Sequence, residues 1–562
     1  MAFLLVVTVF LPMAVSLGLF LSPNLDVRSA RSVALGGALA TLALALILLL
    51  GFDSGIATPQ FAFGPEAGPY GLTWMSQPGI RFALGLDGLS LWLFVLTTLL
   101  MITAIFASWE SVTERAPAHY AFLLALETGL LGLFASLDVV LFYLFFEFTL
   151  IPLFFIIGIW GGTERRRASI TFFLYTLAGS LFTLLGVIAL VVIHYQHSAG
   201  HVLTFSIPEL TRGLAALSWP EWSRIEPWSS SPQVLIFLLL FAGFAIKVPM
   251  FPFHTWLPLA HVEAPAAGSI LLAGVLLKVG SYGLLRFNLG MTPLGVVALF
   301  PLLAGLAVAG ILYGAFAALA QTDVKRLVAY SSVSHMGFIA LGLFSMTSTG
   351  VDGAAIQMIN HGITTGALFA CVGVVYERYH TRELSEIGGL WERMPLFAFF
   401  LILASLGSAA VPGLNGFVGE FPILTGAFVR DPFTAVLASL GMVLGAWYLL
   451  WMLQRLLFGP LHEPHVHGES ATSAHPGRDG HAASSTIRPI GWHEVAGLTP
   501  LMVLIVLMGV YPRPFFDRIR PSTSAITRVF EERDRAEHEK AMGIAADLGT
   551  RPGLLNTTNL TR

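Results

Sequence analysis

The chain has 562 residues, of which 56% are apolar and only 11% charged, and its mean hydropathy is +0.77. A soluble domain carries about 25% charged residues, so most of this chain must face lipid or buried protein. The formal charge of −3 argues neither for nor against nucleic acid, and the single cysteine, Cys371, excludes an internal disulfide, a four-thiolate iron–sulfur site and a CxxC redox pair.

Apolar runs of about twenty residues recur along the chain, each long enough to cross a hydrocarbon core of about 30 Å. They predict an all-α polytopic membrane protein of about fourteen spans, near 2–22, 32–52, 84–107, 119–135, 138–160, 168–193, 234–257, 264–286, 293–316, 323–345, 353–377, 395–423, 432–457 and 495–512. The first run lacks a basic start, and a second follows after Arg28 and Arg31, so it reads as a retained helix rather than a signal peptide. Longer polar connections occupy 53–83, 194–233 and 458–494, and a charged tail begins at Arg513. The 458–494 connection is rich in His, Gly, Ser and Ala and is expected to lack fixed structure. Its histidines, His462, His465, His467, His475, His481 and His493, are irregularly spaced. That pattern fits a surface loop better than a tetrahedral zinc site, and no metal is expected.

Basic residues concentrate in connections after odd-numbered spans, Arg165, Arg166, Arg167, Lys325 and Arg326 among them. Connections after even-numbered spans hold Arg81, Arg212, Arg224, Arg286 and Arg430. The positive-inside rule then puts the odd side in the cytoplasm and the N-terminus outside, in the inner membrane of a bacterium. The basic residues of the tail resist this assignment, since they would lie outside.

Lys247, Lys278, Glu147 and Glu420 fall inside apolar spans. Each such charge costs about 2.5–3.5 kcal/mol at the centre of a membrane helix, so the four must meet one another, water or other polar groups. Structural ion pairs are the plain explanation; a proton relay is the sharper one, because intramembrane ionisable groups are functional by default. Lys247 opens the run KVPMFPFHTWLP, and Glu420 closes VPGLNGFVGE. Proline removes an amide donor and glycine loosens a helix, and bare backbone at membrane depth is tolerated only where it is buried in protein or lines a wet cavity. Paired broken spans point to a transporter site. The broken spans are the seventh and twelfth, and the odd offset of five predicts two inverted five-helix repeats, spans 4–8 and 9–13. His254 and His261 follow Lys247, and His335 and His361 lie in spans ten and eleven. Each alone reads as a helix–helix hydrogen-bonding group; as a series with the charges they read as relay steps. The chain thus divides into 1–118 (spans 1–3), 119–290 (first repeat), 291–458 (second repeat), 459–494 (His-rich loop) and 495–562 (last span and tail).

Residues 247–287, KVPMFPFHTWLPLAHVEAPAAGSILLAGVLLKVGSYGLLRF, closely resemble the signature of the antiporter-like subunits of respiratory complex I. That family also includes Mrp-type cation/proton antiporters and membrane-bound hydrogenases. GLDGLSLWL at 85–93, DVKRLVAYSSVSHMG at 323–337 and NHGITTGALF at 360–369 resemble its other signatures, and the match covers roughly 80 to 460. The resemblance implies fourteen helices, each repeat holding a half-channel, and proton translocation driven by quinone reduction in other subunits. It makes Glu147 the partner of the broken-helix Lys247 and Lys278 the central-axis lysine. His335 and His361 become polar positions between the halves, and Glu420 the terminal group. Glutamate at 420 favours the M-type branch, since L- and N-type subunits usually carry lysine there. No cofactor is implied on this chain; NADH, FMN, iron–sulfur clusters and quinone would sit on partner subunits. L- and N-type subunits, lipid and protons would be its partners, with no nucleic acid. An Mrp-type Na⁺/H⁺ antiporter subunit, a membrane-bound hydrogenase subunit or a membrane scaffold are the competing readings.

Overall fold

Lipid offers no hydrogen bonds to a backbone, so the apolar runs fold as helices that satisfy their amides and carbonyls internally. The computed structural model describes residues 1–64, 68–198, 200–216, 231–464 and 488–549. Among them twelve helices are long and apolar enough to cross a membrane. In chain order the main helices are α1 (Ala2–Phe20), α2 (Val27–Leu50), α3 (Gly88–Ala107), α4 (Ala116–Ala135), α5 (Val139–Trp160), α6 (Arg165–His197), α7, α8 (Ala266–Leu289), α9 (Pro293–Leu319), α10 (Val324–Phe344), α11 (Ser348–Tyr379), α12, α13 (Pro432–Leu457), α14 (Trp492–Val510) and α15 (Arg513–Gly549). The broken pair, α7 (Pro232–Lys247 and Trp256–Glu263) and α12 (Pro395–Ser408 and Asn415–Arg430), each consist of two shorter segments.

Burial sorts these helices into layers. The most apolar window of α8 is fully buried, whereas that of α2 is only 28% buried. The rim exposes large apolar side chains such as Phe3, Leu50, Phe428 and Val443, the surface a lipid solvent accepts. The central helices α3, α8, α10 and α11 are the most completely buried of the spans.

The structure adds detail that the sequence did not predict. Within the all-α architecture, β1 (Leu72–Met75) and β2 (Ile80–Phe82) form an antiparallel hairpin in the first long connection, with an irregularity between Thr73 and Met75. α8 contains two π-helical segments, Leu272–Leu276 and Leu284–Leu289. The His-rich connection ends earlier than expected. His493 lies in the first turn of α14 and is buried, and His462 pairs with Gly388 as an isolated bridge. His465, His467, His475 and His481 lie outside the described residues.

The tail is a helix, and its docking bears on the charge count. Arg520 and Thr523 of α15 bind Asp352, which precedes the core of α11, and Arg430 at the end of α12 lies 3.3 Å from Asp534. Thr523 approaches one Asp352 oxygen at 2.5 Å. A Cβ at Gly88 would collide with the Arg518 carbonyl, so the α15 backbone rests directly on the first turn of α3. The tail thus sits at the bundle end shared by the start of α3, the start of α11 and the end of α12. Two of its arginines, Arg513 and Arg520, are matched there by Asp517 and Asp352. At the opposite end Lys325 donates to the carbonyls of Val262 (3.2 Å) and Ala264 (2.5 Å), and Arg378 grips Glu494 at 2.7 Å through two nitrogens.

Candidate functional site

The α7 break follows from its prolines. Pro249 and Pro252 cannot donate to the preceding turn, so the helix stops at Lys247 and resumes at Trp256. The Trp256 indole donates to the Ile246 carbonyl at 2.9 Å, satisfying an acceptor that the break leaves open. α8 packs against the break at Gly280, where a Cβ would lie 2.7 Å from the Val248 nitrogen. Lys247 is 1% exposed. Its ammonium lies 4.7 Å from the centre of the Phe146 ring and has no hydrogen-bond partner. Glu147, the next residue on α5, is half-buried and within electrostatic reach, but no Lys247–Glu147 ion pair closes within 4.0 Å.

In α8, Lys278 is fully buried. Its Nζ lies against the Ala273 carbonyl, inside the first π segment, and 2.6 Å from His361 Nδ1 on α11. A π turn shifts backbone carbonyls out of the regular ladder and is frequent at functional sites; here one of those carbonyls helps hold the lysine.

His361 in turn faces His335 of α10, with ring centroids 5.5 Å apart. His335 Nδ1 is 2.7 Å from Glu420 Oε1, and the same oxygen accepts from Gln357 Nε2 at 3.0 Å. The other His335 nitrogen is 3.2 Å from the Ser408 hydroxyl and 3.4 Å from that of Tyr448. The α12 break is stapled to α11 by Asn360 and Asn415, each of which donates to the other's backbone carbonyl. Ala410 and Gly413 take positive φ in that break, at 54° and 91°, where the glycine is free of strain. Lys278, His361, His335 and Glu420 therefore form one buried line across four helices, with a single gap between the two imidazoles.

Two sequence candidates lie apart from that line. His254 packs against Tyr313 and Phe251 at ring distances of 4.8 and 5.8 Å. His261 stacks on Phe369 at 4.6 Å, and neither ring nitrogen is hydrogen-bonded. Lys278 and Lys325 are the charges His261 senses.

The sequence reading missed other buried polar groups. Glu127 and His119 on α4 are fully buried, and neither side chain has a hydrogen-bond partner. Glu127 carried the same signal as Glu147, an acid inside an apolar run, and was readable. Gln357, Ser408 and Tyr448 carry no such signal, because uncharged polar groups are ordinary in membrane helices. Arg286 was assigned to a connection, yet it touches Asp87 at the start of α3.

The family model described as "NADH:quinone oxidoreductase/Mrp antiporter, TM" matches residues 136–445. NADH-quinone oxidoreductase subunit M of Rhodobacter capsulatus is 40% identical over 530 residues, 93% of this chain and 96% of that protein. NADH-ubiquinone oxidoreductase chain 4 of Arabidopsis thaliana is 38% identical over 518 residues, 92% of this chain and 95% of that one. Among solved structures, a chain of respiratory complex I from Thermus thermophilus with bound NADH aligns with a TM-score of 0.79 and 31% identity, over 93% of this chain and 99% of that chain. A chain of the Mrp complex from Dietzia sp. DQ12-45-1b aligns with a TM-score of 0.74 over 93% and 98% of the two chains, at 19% identity, a likeness of fold alone. Fold, broken helices and buried charges together define a polytopic membrane protein of the antiporter-like class. The chain belongs to the NADH:quinone oxidoreductase/Mrp antiporter membrane family and, within it, to the subunit M (chain 4) branch of complex I. It is part of an oxidoreductase complex and has other membrane subunits as its partners.

Proposed function

We propose that this subunit moves protons through Glu147, Lys247, Lys278, His361, His335 and Glu420, with His254 and His261 as side stations. The observation that carries this is the buried line from Lys278 to Glu420. At 2.6 Å the Lys278 ammonium donates to a neutral His361 Nδ1, and passing that proton leaves a neutral lysine, the form burial favours. His361 Nε2 has no partner, so it is free to serve the step towards His335. One bridging water or a turn of either ring spans that step. At the far end, His335 and Gln357 both donate to Glu420 while it is ionised, and His335 Nδ1 accepts once the carboxyl is protonated.

In this reading α4–α8 and α9–α13 are two inverted repeats, Glu147–Lys247 serves the first, and Glu420 ends the second. The subunit acts as a translocase without a redox site of its own, driven by quinone reduction elsewhere. NADH, FMN, the iron–sulfur clusters and quinone belong to partner subunits, and L- and N-type subunits flank it. The bacterial inner membrane holds it with the N-terminus outside. Support for M-type complex I over the Mrp reading comes from Glu420 and from the identity to the subunit M proteins.

The test is NADH-driven proton pumping in membrane vesicles, with assembly checked separately. Glu420→Gln keeps the shape and removes the titrating group, and pumping is expected to fall strongly. Wild-type pumping by an assembled Glu420→Gln complex would place the exit elsewhere.

A further inference from the structure

At the bundle end that carries the tail, a cavity of about 240 Å³ is lined by Asp87, Ser90, Thr211, Tyr282, Arg286 and Ser522, with exposed Ala57 and Thr58 at its rim. Most of its lining is apolar, but it is large enough for several waters, and Asp87, Ser90, Arg286 and Ser522 offer them polar partners. Tyr282 and Arg286 stand four and eight residues beyond Lys278 on α8, a spacing that keeps side chains on one helix face. The Arg286 guanidinium lies 5.1 Å over the Tyr282 ring, so the π segment does not break that stripe. The axial distance from Lys278 to Arg286 is about 12 Å at 1.5 Å per residue. A direct route along α8 to the cavity would therefore meet only Tyr282 and Arg286 on that face. A proton that took it would leave the membrane without passing the second half of the site.

We propose that Arg286, held by Asp87 at the floor of this cavity, is a fixed-charge barrier that closes the direct route from Lys278 and keeps protons on the His361–His335–Glu420 line. The inference rests on the relay proposed above. A guanidinium stays protonated throughout the neutral range, so it can neither accept a proton from Tyr282's side nor pass one to the cavity. Fixed arginines in narrow pores exclude protons on the same principle.

The geometry holds the barrier in place. Asp87 Oδ1 accepts from the amides of Leu89 (3.2 Å) and Ser90 (2.9 Å), while Oδ2 meets Arg286. Burial raises the Asp87 carboxyl, but Arg286 and the Ser90 amide and hydroxyl outweigh it and hold it below its ordinary 3.8. Asp87 therefore stays anionic through the neutral range and keeps its hold on Arg286. The α15 backbone is seated on Gly88, the residue after Asp87 in the first turn of α3.

The experiment measures passive proton conductance of vesicles containing the assembled complex, without NADH, from the decay of an imposed pH gradient. Arg286→Gln is expected to raise it about tenfold, the effect of lowering a barrier by about 1.4 kcal/mol. NADH oxidation continues while the gradient it builds falls. Arg286→Lys keeps a cation and is expected to stay tight. In an assembled Asp87→Asn complex the amide oxygen still caps α3 while the Arg286 cation loses its compensating anion, so the charge barrier is not lowered and the vesicle is expected to stay tight. A mere structural staple between α3 and α8 would instead make Asp87→Asn and Arg286→Gln leak equally, and that result overturns the proposal. So does a tight Arg286→Gln vesicle. If Arg286→Gln fails to assemble, the double change Asp87→Asn with Arg286→Gln leaves no unpaired charge; it must leak, and a tight double variant is equally fatal. Because conductance is read without turnover, this result is separate from the Glu420→Gln pumping test.

Discussion

At the α7 break Lys247 ends in a pocket of apolar groups, its ammonium over Phe146 and without a hydrogen bond. At the α12 break Glu420 accepts from His335 and Gln357, and His335 is itself held by Ser408 and Tyr448. Both sites use the same device, a helix interrupted by proline or glycine beside a buried charge. They differ in how completely that charge is satisfied. An unpaired buried ammonium is costly and is relieved by losing its proton or by moving towards Glu147. A carboxylate with two donors is stable where it stands. On the proposed relay, the first break is the place where a small displacement would change proton occupancy, and the second is where the geometry already holds its charged group.

The sharpest way to break that contrast is at Lys247. Lys247→Ala or Glu147→Gln is expected to abolish most NADH-linked pumping while the complex still assembles. An assembled Lys247→Ala complex that pumps normally would mean the unsatisfied site does nothing. Glu420→Lys comes next in size. Either residue carries a proton, but a lysine is neutral when deprotonated and a glutamate when protonated, so the charge offered to His335 is reversed through the cycle. Partial pumping is expected, above that of Glu420→Gln; pumping no better than Glu420→Gln would mean the sign of charge at His335, and not proton carriage, sets the rate.

A smaller effect on pumping, but a clear one on stability, is expected at the opposite end of the bundle. Arg378→Ala leaves Glu494 buried without its partner and removes the bonds to the carbonyls of Arg488 and Pro489. Breaking a buried pair this way costs about 3–5 kcal/mol, so the subunit should dissociate or unfold at lower temperature, while pumping per intact complex is preserved. A lowered pumping ratio in intact complexes would tie α14 to the relay. The smallest effect belongs to the His-rich connection. Deleting 465–482 spares Glu463, which lies 3.1 Å from the Tyr379 hydroxyl, and turnover is expected to stay unchanged. Loss of activity, or of a stoichiometric metal, would give those histidines a role.

Composition and run length alone determined that this chain folds as membrane helices, because hydrocarbon admits only helices and closed barrels and unbroken apolar runs of about twenty residues fit the helix. The prolines after Lys247 and the Pro412–Gly413 pair before Glu420 marked both breaks, and the scarcity of charge made Lys247, Lys278, Glu147 and Glu420 visible at once. Partners were another matter. Residues 278, 335, 361 and 420 are brought together from four helices, and no local pattern encodes which faces meet. No residue type in 272–276 signals the π segment whose Ala273 carbonyl meets Lys278. Glu127 was legible and overlooked, whereas Gln357 and Tyr448 were not legible. The tail illustrates the same limit: its charges are plain in the sequence, but only its contacts with Gly88, Asp352 and Arg430 fix the end of the bundle it covers. Hydrophobicity is a property of each residue and survives in one dimension. The pairing of buried polar groups depends on distances of about 3 Å between helices far apart in the chain, and that only the packed structure decided.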